Sequence, residues 1–155
     1  MNRVRDVVVG LGNPLRRDDG VGAVVADLVA RLGVPGIAVA ALTGDDPAAL
    51  LDLWRGARRV VVVEAVYGAH AAPGSVVRLD AHQLGPGRPV ASSHGVDLAT
   101  AYRLSEVLGS GPERLVVVGV QVVDTGLGRG LSPAVAAGLP GVLDRVLAEL
   151  SLPTP

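Results

Sequence analysis

The amino-acid sequence, 155 residues long, contains no cysteine and no phenylalanine, and aromatic residues make up only 2% of it. Without cysteine the chain cannot have a disulfide framework, a thiolate-bound metal or a cysteine nucleophile. Hydrophobic residues nevertheless make up 49% of the sequence, so we expect a core built from valine, leucine and alanine. The length suits a single domain, residues 1–155, that buries such a core.

The sequence also lacks a large net charge and long apolar runs. The formal net charge is −1, which offers no electrostatic argument for binding nucleic acid or an anionic membrane. All 14 basic residues are arginine, a bias that we attribute to the base composition of the genome. No apolar run approaches the ~20 residues that span a bilayer, and the N-terminus lacks the pattern of a signal peptide. We therefore expect a cytoplasmic protein.

Three valine-rich runs are typical of strands buried on both faces of a parallel sheet. They are VVVGLG, VVVVEAV and LVVVGV, beginning at residues 7, 60 and 115. Between them, apolar residues recur at helical spacing, and the alternation predicts a three-layer α/β fold. The predicted strands are residues 7–11, 37–42, 59–66, 75–79 and 115–120, and the predicted helices are about 19–32, 47–54, 94–108 and 133–150.

Turn-forming and polar residues mark the ends of these elements. The connection between strands 59–66 and 75–79 is too short for a helical crossover, which predicts that they run antiparallel. Residues 84–93 are rich in Gly, Pro and Ser and predict a loop, and residues 153–155 predict a frayed tail. The predicted helix starts are Asp45 or Asp46 before Pro47, Ser92 or Ser93 before a helix from His94, and Ser132 before Pro133.

Three residues with acid–base or metal-binding side chains lie near strand ends or helix starts. They are Asp19, Glu64 and His94. In open α/β sheets, ligands bind beyond the carboxyl ends of the strands. Each residue also has a purely structural explanation: Asp19, like Asp18, complements a helix dipole, Glu64 faces solvent at a strand end, and His94 lies on the surface. His70 and His82 lie in polar turns, and we expect both to be solvated.

Taken together, the three residues favour a metal site. A carboxylate in an apolar strand, such as Glu64, is costly to bury without a partner. A helix N-terminus disfavours imidazolium, which keeps a ring nitrogen of His94 available. If the topology brings them together with Asp19, they form a set of two oxygen ligands and one nitrogen ligand. Such a set suits a borderline divalent ion such as nickel, zinc or cobalt, with open positions for substrate or water.

The glycine-rich turn after the first strand has a competing interpretation as a dinucleotide-binding loop. Gly10-Leu11-Gly12 begins like the fingerprint G-x-G-x-x-G, but Leu15 replaces the third glycine. Two aspartates follow, which would repel a pyrophosphate, and the second strand ends in Ala41-Leu42-Thr43 without an acid for a ribose. We therefore expect the turn to direct Asn13 and the aspartates into a crevice. The hydrolase motifs G-x-S-x-G and H-E-x-x-H are absent.

Four segments resemble the nickel-iron hydrogenase maturation endopeptidases. They are GLGNPLRRDDGVG, VVVVEAVYGAHAAPGSVVRL, SSHGVDLATAYRL and LVVVGVQVVDTGLGRGLSPAVAAGLPGVLDRVLAEL, which together cover much of the chain. The resemblance implies a three-layer α/β/α sandwich of the phosphorylase/hydrolase-like type, with a mixed five-stranded, mostly parallel sheet. It also places the family's three metal-binding and catalytic positions on Asp19, Glu64 and His94.

The resemblance implies a function as well. Members remove a C-terminal extension from the hydrogenase large-subunit precursor once nickel has been inserted, and nickel carried by that substrate is the implied metal. The implied partner is the precursor, and the implied oligomeric state is a monomer. The resemblance implies neither a nucleic acid nor a membrane as a partner. Two departures bear on this: Glu64 stands where the family usually has Asp, and Thr43-Gly44-Asp45-Asp46 is more acidic than the family's Gly-Gly-Thr loop.

Two other functions remain open at this point. Peptidyl-tRNA hydrolases also open with a turn like GLGNP, but follow it with Tyr and an Arg-His-Asn segment and present a basic face. Here Leu15-Arg16-Arg17-Asp18-Asp19-Gly20 follows, and the net charge is negative. The second alternative is a non-catalytic metal-binding or precursor-docking module, in which Glu64 no longer supports turnover.

Overall fold

The valine-rich runs form the centre of one sheet. A computed structural model of the chain describes residues 5–43, 46–83, 90–92 and 94–152. The strands are β1 (Asp6–Leu11), β2 (Ile37–Leu42), β3 (Arg59–Val66), β4 (Val76–Asp80) and β5 (Arg114–Gln121). The α-helices are α1 (Val21–Arg31), α2 (Pro47–Trp54), α3 (Gly95–Val107) and α4 (Pro133–Glu149), with short 3-10 turns at Arg17–Gly20 and Ala81–Gln83. Within the described ranges, no helix combines the length and the apolar character that crossing a membrane requires.

The described strands pair in the order β2-β1-β3-β5-β4. β1 is parallel to β2 and β3, and β3 is parallel to β5, so the carboxyl ends of four strands meet at one edge. β4 is antiparallel to β5, with Val76 opposite Val120. The predicted mixed, mostly parallel, five-stranded sheet and the direction of the 75–79 strand are confirmed. β4 nevertheless does not pair with β3, because β5 lies between them.

Period-two alternation along the strands produces the two helical layers. On one face, Val60 and Val62 of β3 join a core cluster with α2 and α3. On the other face, Val61 and Val63 join a cluster with α1 and α4. The predicted three-layer α/β arrangement is therefore confirmed. Glu64 continues the row of Val60 and Val62, so it belongs to the face that α3 covers.

The first two helices start close to their predicted positions. Asp46 caps α2 as predicted, because its carboxylate accepts the N–H groups of Ala48 and Ala49 at 3.0 and 3.3 Å. α1 starts at Val21 rather than at about residue 19, because Arg17–Gly20 form a 3-10 turn first. Asp19 therefore lies in a tight turn before the helix, not in the helix itself.

The start of α3 differs from the prediction. His94 is the N-cap residue, and no described side chain caps this helix. Ser92 is not a cap: its Oγ accepts the His94 N–H at 3.1 Å, before the helix begins. The start of α4 at Pro133, after Ser132, is confirmed. The predictions for Asp45, Ser93, most of the 84–93 loop and the 153–155 tail concern residues outside the described ranges.

Two glycines of the opening segment let α1 lie directly on the sheet. A Cβ on Gly22 would lie 2.4 Å from the Val63 carbonyl oxygen and 2.5 Å from the Leu11 carbonyl oxygen. A Cβ on Gly10 would lie 2.1 Å from the carbonyl oxygen of Gly22. These contacts hold the start of α1, and the turn before it, against the carboxyl end of β1.

Replacing Gly22 with alanine should lower the free energy of unfolding by about 1–3 kcal/mol, because the methyl group overlaps two backbone oxygens of the sheet. The matched control is Gly141→Ala in α4, where nothing lies within 4 Å of the added Cβ. Alanine there should be neutral or stabilise the helix by up to about 1 kcal/mol. Urea unfolding of both variants measures the difference. Equal stabilities would contradict the close packing of α1 on the sheet.

Candidate active site

Two of the buried acidic side chains, Asp6 and Glu149, are neutralised by arginines. Asp6 forms ion pairs with Arg58 and Arg59 at 3.0 and 2.7 Å. Glu149 forms ion pairs with two further arginines at 2.6 and 3.0 Å. Such neutralised acids stabilise a particular arrangement of the chain and leave no capacity for a ligand. Neither Asp6, at the amino end of β1, nor Glu149 therefore belongs to a candidate site.

Asp18 is also a structural acid, although it adjoins Asp19 in sequence. Its fully buried carboxylate accepts the N–H groups of Val123, Asp124 and Ser132 and the Ser132 hydroxyl, at 2.6–3.2 Å. Burial raises the pKa of Asp18, but these hydrogen bonds outweigh it and the pKa is lowered. Asp18 thus joins the opening turn to the segment between β5 and α4.

The turn after β1 positions Asp19. Gly12 has a φ of 135°, and a Cβ there would lie 1.9 Å from the backbone oxygen of Asp19. Only glycine permits this approach without strain. The Asp19 side chain is almost fully buried, and its Oδ2 accepts the Asn13 N–H at 2.8 Å. Gly12 and Asn13 therefore place the carboxylate at the carboxyl end of β1.

His94 lies next to Asp19. Its Nε2 is 3.8 Å from Asp19 Oδ2, which is longer than a hydrogen bond, and no described residue is a hydrogen-bond partner of this nitrogen. Asp19 raises the pKa of His94, whereas burial lowers it, and the net shift is upward. A helix N-terminus favours the neutral ring, but the net shift of the His94 pKa is upward. His70 and His82 are exposed, as predicted.

Glu64 is fully buried, so the alternative that it faces solvent is wrong. The Ser92 hydroxyl donates to its Oε2 at 2.5 Å, whereas Oε1 has no hydrogen-bond partner among the described residues. The pKa of Glu64 is raised to about 7 overall: burial is the largest cause and Asp19 adds to the rise, while Ser92 and His94 oppose it. Ser92 Oγ also accepts the His94 N–H at 3.1 Å, and the His94 ring lies 3.8 Å from Asp19, so the three groups share one neighbourhood.

A pocket of about 350 Å³ lies at the carboxyl edge of the sheet. One lining residue follows each parallel strand: Asn13 after β1, Thr43 after β2, Tyr67 after β3 and Thr125 after β5. Arg16, Asp19 and His94 complete the described lining. Glu64 does not line the pocket, because its side chain is enclosed. The pocket therefore lies where the doubly wound topology predicts a ligand.

The donor atoms fit a borderline divalent metal ion in type. The site contains two carboxylates and an imidazole, and Glu64 Oε1 and His94 Nε2 both lack hydrogen-bond partners among the described residues. Within the same residues, however, no three Asp, Glu, His or Cys side chains are already grouped as a metal site. The assignment of Asp19, Glu64 and His94 as ligands and catalytic residues remains a prediction, which requires these side chains to converge further.

Sequence reasoning missed four polar residues at or beside the pocket. Tyr67 donates its hydroxyl to Thr125 Oγ1 at 2.8 Å, and Arg16 Nε donates to the Thr125 carbonyl at 3.2 Å. Their only sequence signal is that they lie just beyond strand ends. Ser92 has a clearer signal, because a carboxylate such as Glu64 in an apolar strand needs a hydrogen-bond donor.

The fold and the pocket define an α/β protein with carboxylate and imidazole chemistry at the carboxyl edge of its sheet. The chain matches the model of the HycI hydrogenase maturation protease family over residues 23–149, and it belongs to that family of endopeptidases. The matched range includes Glu64 and His94 and starts after Asp19. The resemblance inferred from sequence is thereby confirmed.

Solved structures show the same fold. The hydrogenase maturating endopeptidase HybD from E. coli is 24% identical with a TM-score of 0.80, over 95% of this chain and 92% of that chain. HybD from Thermococcus kodakarensis, a NiFe hydrogenase maturation protease, is 23% identical with a TM-score of 0.76, over 93% and 97%. HycI from Thermococcus kodakarensis KOD1 is 22% identical with a TM-score of 0.71, over 97% and 94%. None of the curated proteins matches the sequence.

Glu64→Gln should stabilise the fold at pH 8 but not at pH 5. The pKa of Glu64 rises from 4.5 to about 7 on folding, so between these values the unfolded chain releases a proton that the folded chain keeps. The free energy of unfolding therefore falls as pH rises through this window, by about 3 kcal/mol in total. Glutamine does not titrate, so the variant should lose this part of the pH dependence of stability. Urea unfolding from pH 5 to 8, with the exposed Glu113→Gln as control, measures the effect; a difference from wild type that does not change with pH would contradict it.

Proposed function

We propose that this chain is an endopeptidase that removes the C-terminal extension of a nickel-iron hydrogenase large-subunit precursor after nickel insertion. The observation that carries the proposal is membership in the hydrogenase maturation protease family over residues 23–149. The polar pocket supports it, because its volume of about 350 Å³ is within the range of ligand-binding sites. The partner is the precursor, and by analogy with the family the reaction takes place in the cytoplasm, with this chain as a monomer.

In this proposal, Asp19, Glu64 and His94 recognise the nickel that the precursor carries. The bound ion supplies Lewis-acid chemistry at the scissile peptide or at a water molecule. The residues supply two anionic oxygens and one nitrogen. Asp19 raises the pKa of His94, which favours the protonated ring, and Nε2 can act as a ligand only without its proton. We therefore expect binding of the nickel-loaded precursor to release a proton.

A non-catalytic docking module is the second candidate. Two observations favour it: Glu64 is enclosed rather than part of the pocket lining, and the described residues contain no preformed group of three ligands. This module would bind the nickel-loaded precursor without shortening it. The two candidates therefore differ in a single assay.

Incubation of the purified chain with a nickel-loaded large-subunit precursor should shorten the precursor, and a nickel-free precursor should stay intact. His94→Asn should reduce the cleavage rate by about 100-fold or more, the scale on which one positioned catalytic side chain contributes. His70→Asn is the matched control, because His70 is exposed and its positive φ of 52° is tolerated by asparagine. Gel electrophoresis and mass spectrometry of the products measure both effects.

Two results would count against the endopeptidase. An intact precursor, with a known protease of this type active in parallel, would leave only the docking module if the precursor still binds. Equal cleavage by His94→Asn and His70→Asn would remove His94 from the machinery while leaving the activity itself in place.

A further inference from the structure

Among the described residues, the Ser92 hydroxyl is the one hydrogen-bond donor to the buried carboxylate of Glu64. Ser92 Oγ donates to Glu64 Oε2 at 2.5 Å. The other oxygen, Oε1, is buried and has no hydrogen-bond partner in the described ranges. The hydroxyl therefore fixes Oε2 of Glu64 and leaves Oε1 without a hydrogen bond from the described residues.

The backbone holds Ser92 firmly beside β3. Tyr67 and Ala91 form an antiparallel bridge in which each N–H donates to the carbonyl of the other, at 2.8 and 3.1 Å. Tyr67 follows the last residue of β3, three positions after Glu64. The bridge thus fixes the chain one residue before Ser92 against the end of the strand that carries Glu64.

The same hydroxyl also contacts the residue that starts α3. Ser92 Oγ accepts the His94 N–H at 3.1 Å, while it donates its own proton to Glu64. A serine hydroxyl has one proton and two lone pairs, so it can make both bonds at once. It links the backbone of His94 to the carboxylate of Glu64, two residues that lie 30 positions apart in the sequence.

We propose that Ser92 is a positioning residue that sets the relative placement of Glu64 and His94 for the metal-bearing substrate. The proposal rests on the proposed function, since it concerns the same site. In this role Ser92 acts through Glu64 and His94 rather than as a ligand itself. It holds Oε2, leaves Oε1 of Glu64 for the ion, and fixes the backbone from which the His94 ring extends. Loss of partners that orient ligands typically costs about 10–100-fold in metal affinity or activity.

The first test compares Ser92→Ala with Ser92→Thr. We expect Ser92→Ala to weaken Ni²⁺ binding to the isolated chain, measured by titration calorimetry, and to slow single-turnover cleavage of nickel-loaded precursor, each by about 10–100-fold. Ser92→Thr keeps the hydroxyl and should restore both to within about threefold of wild type. Ser105→Ala is the matched control: it removes another buried hydroxyl, which donates to the Tyr102 carbonyl within α3, and should change neither quantity.

The second test is a double-mutant cycle with Glu64→Gln. If Ser92 acts through Glu64, then Ser92→Ala should have much less effect in the Glu64→Gln background than in wild type. Additive losses in the cycle would overturn the proposal. So would a folded Ser92→Ala variant with wild-type Ni²⁺ affinity and cleavage rate. A Ser92→Thr variant that restores neither the affinity nor the rate would overturn it as well. Should Ser92→Ala not fold, Ser92→Cys takes its place, because a thiol fills the position but donates weakly.

The two readouts separate this inference from the proposed function. If the wild-type chain does not cleave the precursor, the proposed function fails, and Ni²⁺ binding by the variants still tests Ser92. If the wild-type chain cleaves but does not bind free Ni²⁺, the cleavage rates carry the test. If it does neither, both the function and the role of Ser92 are wrong.

Discussion

Burying a carboxylate in an apolar interior is the constraint on which the rest of this structure depends. A negative charge removed from water must be neutralised, hydrogen-bonded or protonated. Asp6 and Glu149 are neutralised by arginines, and Asp18 is surrounded by backbone N–H groups. Glu64 has only the Ser92 hydroxyl among the described residues, and burial shifts its pKa to about 7. Within the part of the chain that the structure describes, Glu64 is thus a buried acid with one carboxylate oxygen unsatisfied, and it lies beside the residues of the pocket.

A buried acid of this kind costs stability. Helices cover β3 on both faces, so neither orientation of the strand turns the Glu64 side chain to solvent. The sheet therefore forces the carboxylate to stay buried. A cation that satisfies Glu64 Oε1 would relieve the penalty, and an unfavourable ground state of this kind favours ligand binding over the empty site.

Much of the fold was predictable because its signals are local. Valine-rich runs define β1, β3 and β5, and the sequence Asp46-Pro47 marks the start of α2. The pairing of β4 with β5 was not predictable, because the short connection constrains only the direction of the strand. The candidate residues Asp19, Glu64 and His94 were found from their chemistry and position, and their roles remain predictions. The local sequence predicts Ser92 as a helix cap, because its contact with Glu64 depends on a tertiary bridge that no local pattern encodes.

The hydrogen bonds of Asp18 join the opening turn to residues that are synthesised much later. Its carboxylate is satisfied by Val123, Asp124 and Ser132, which lie 105–114 positions later in the chain. During synthesis from the N-terminus, the turn that carries Asp19 acquires this anchor only after β5 has formed and α4 has begun. A nascent chain therefore contains the opening turn long before Asp18 can be anchored. The candidate pocket at the carboxyl edge of the sheet is in this way completed late.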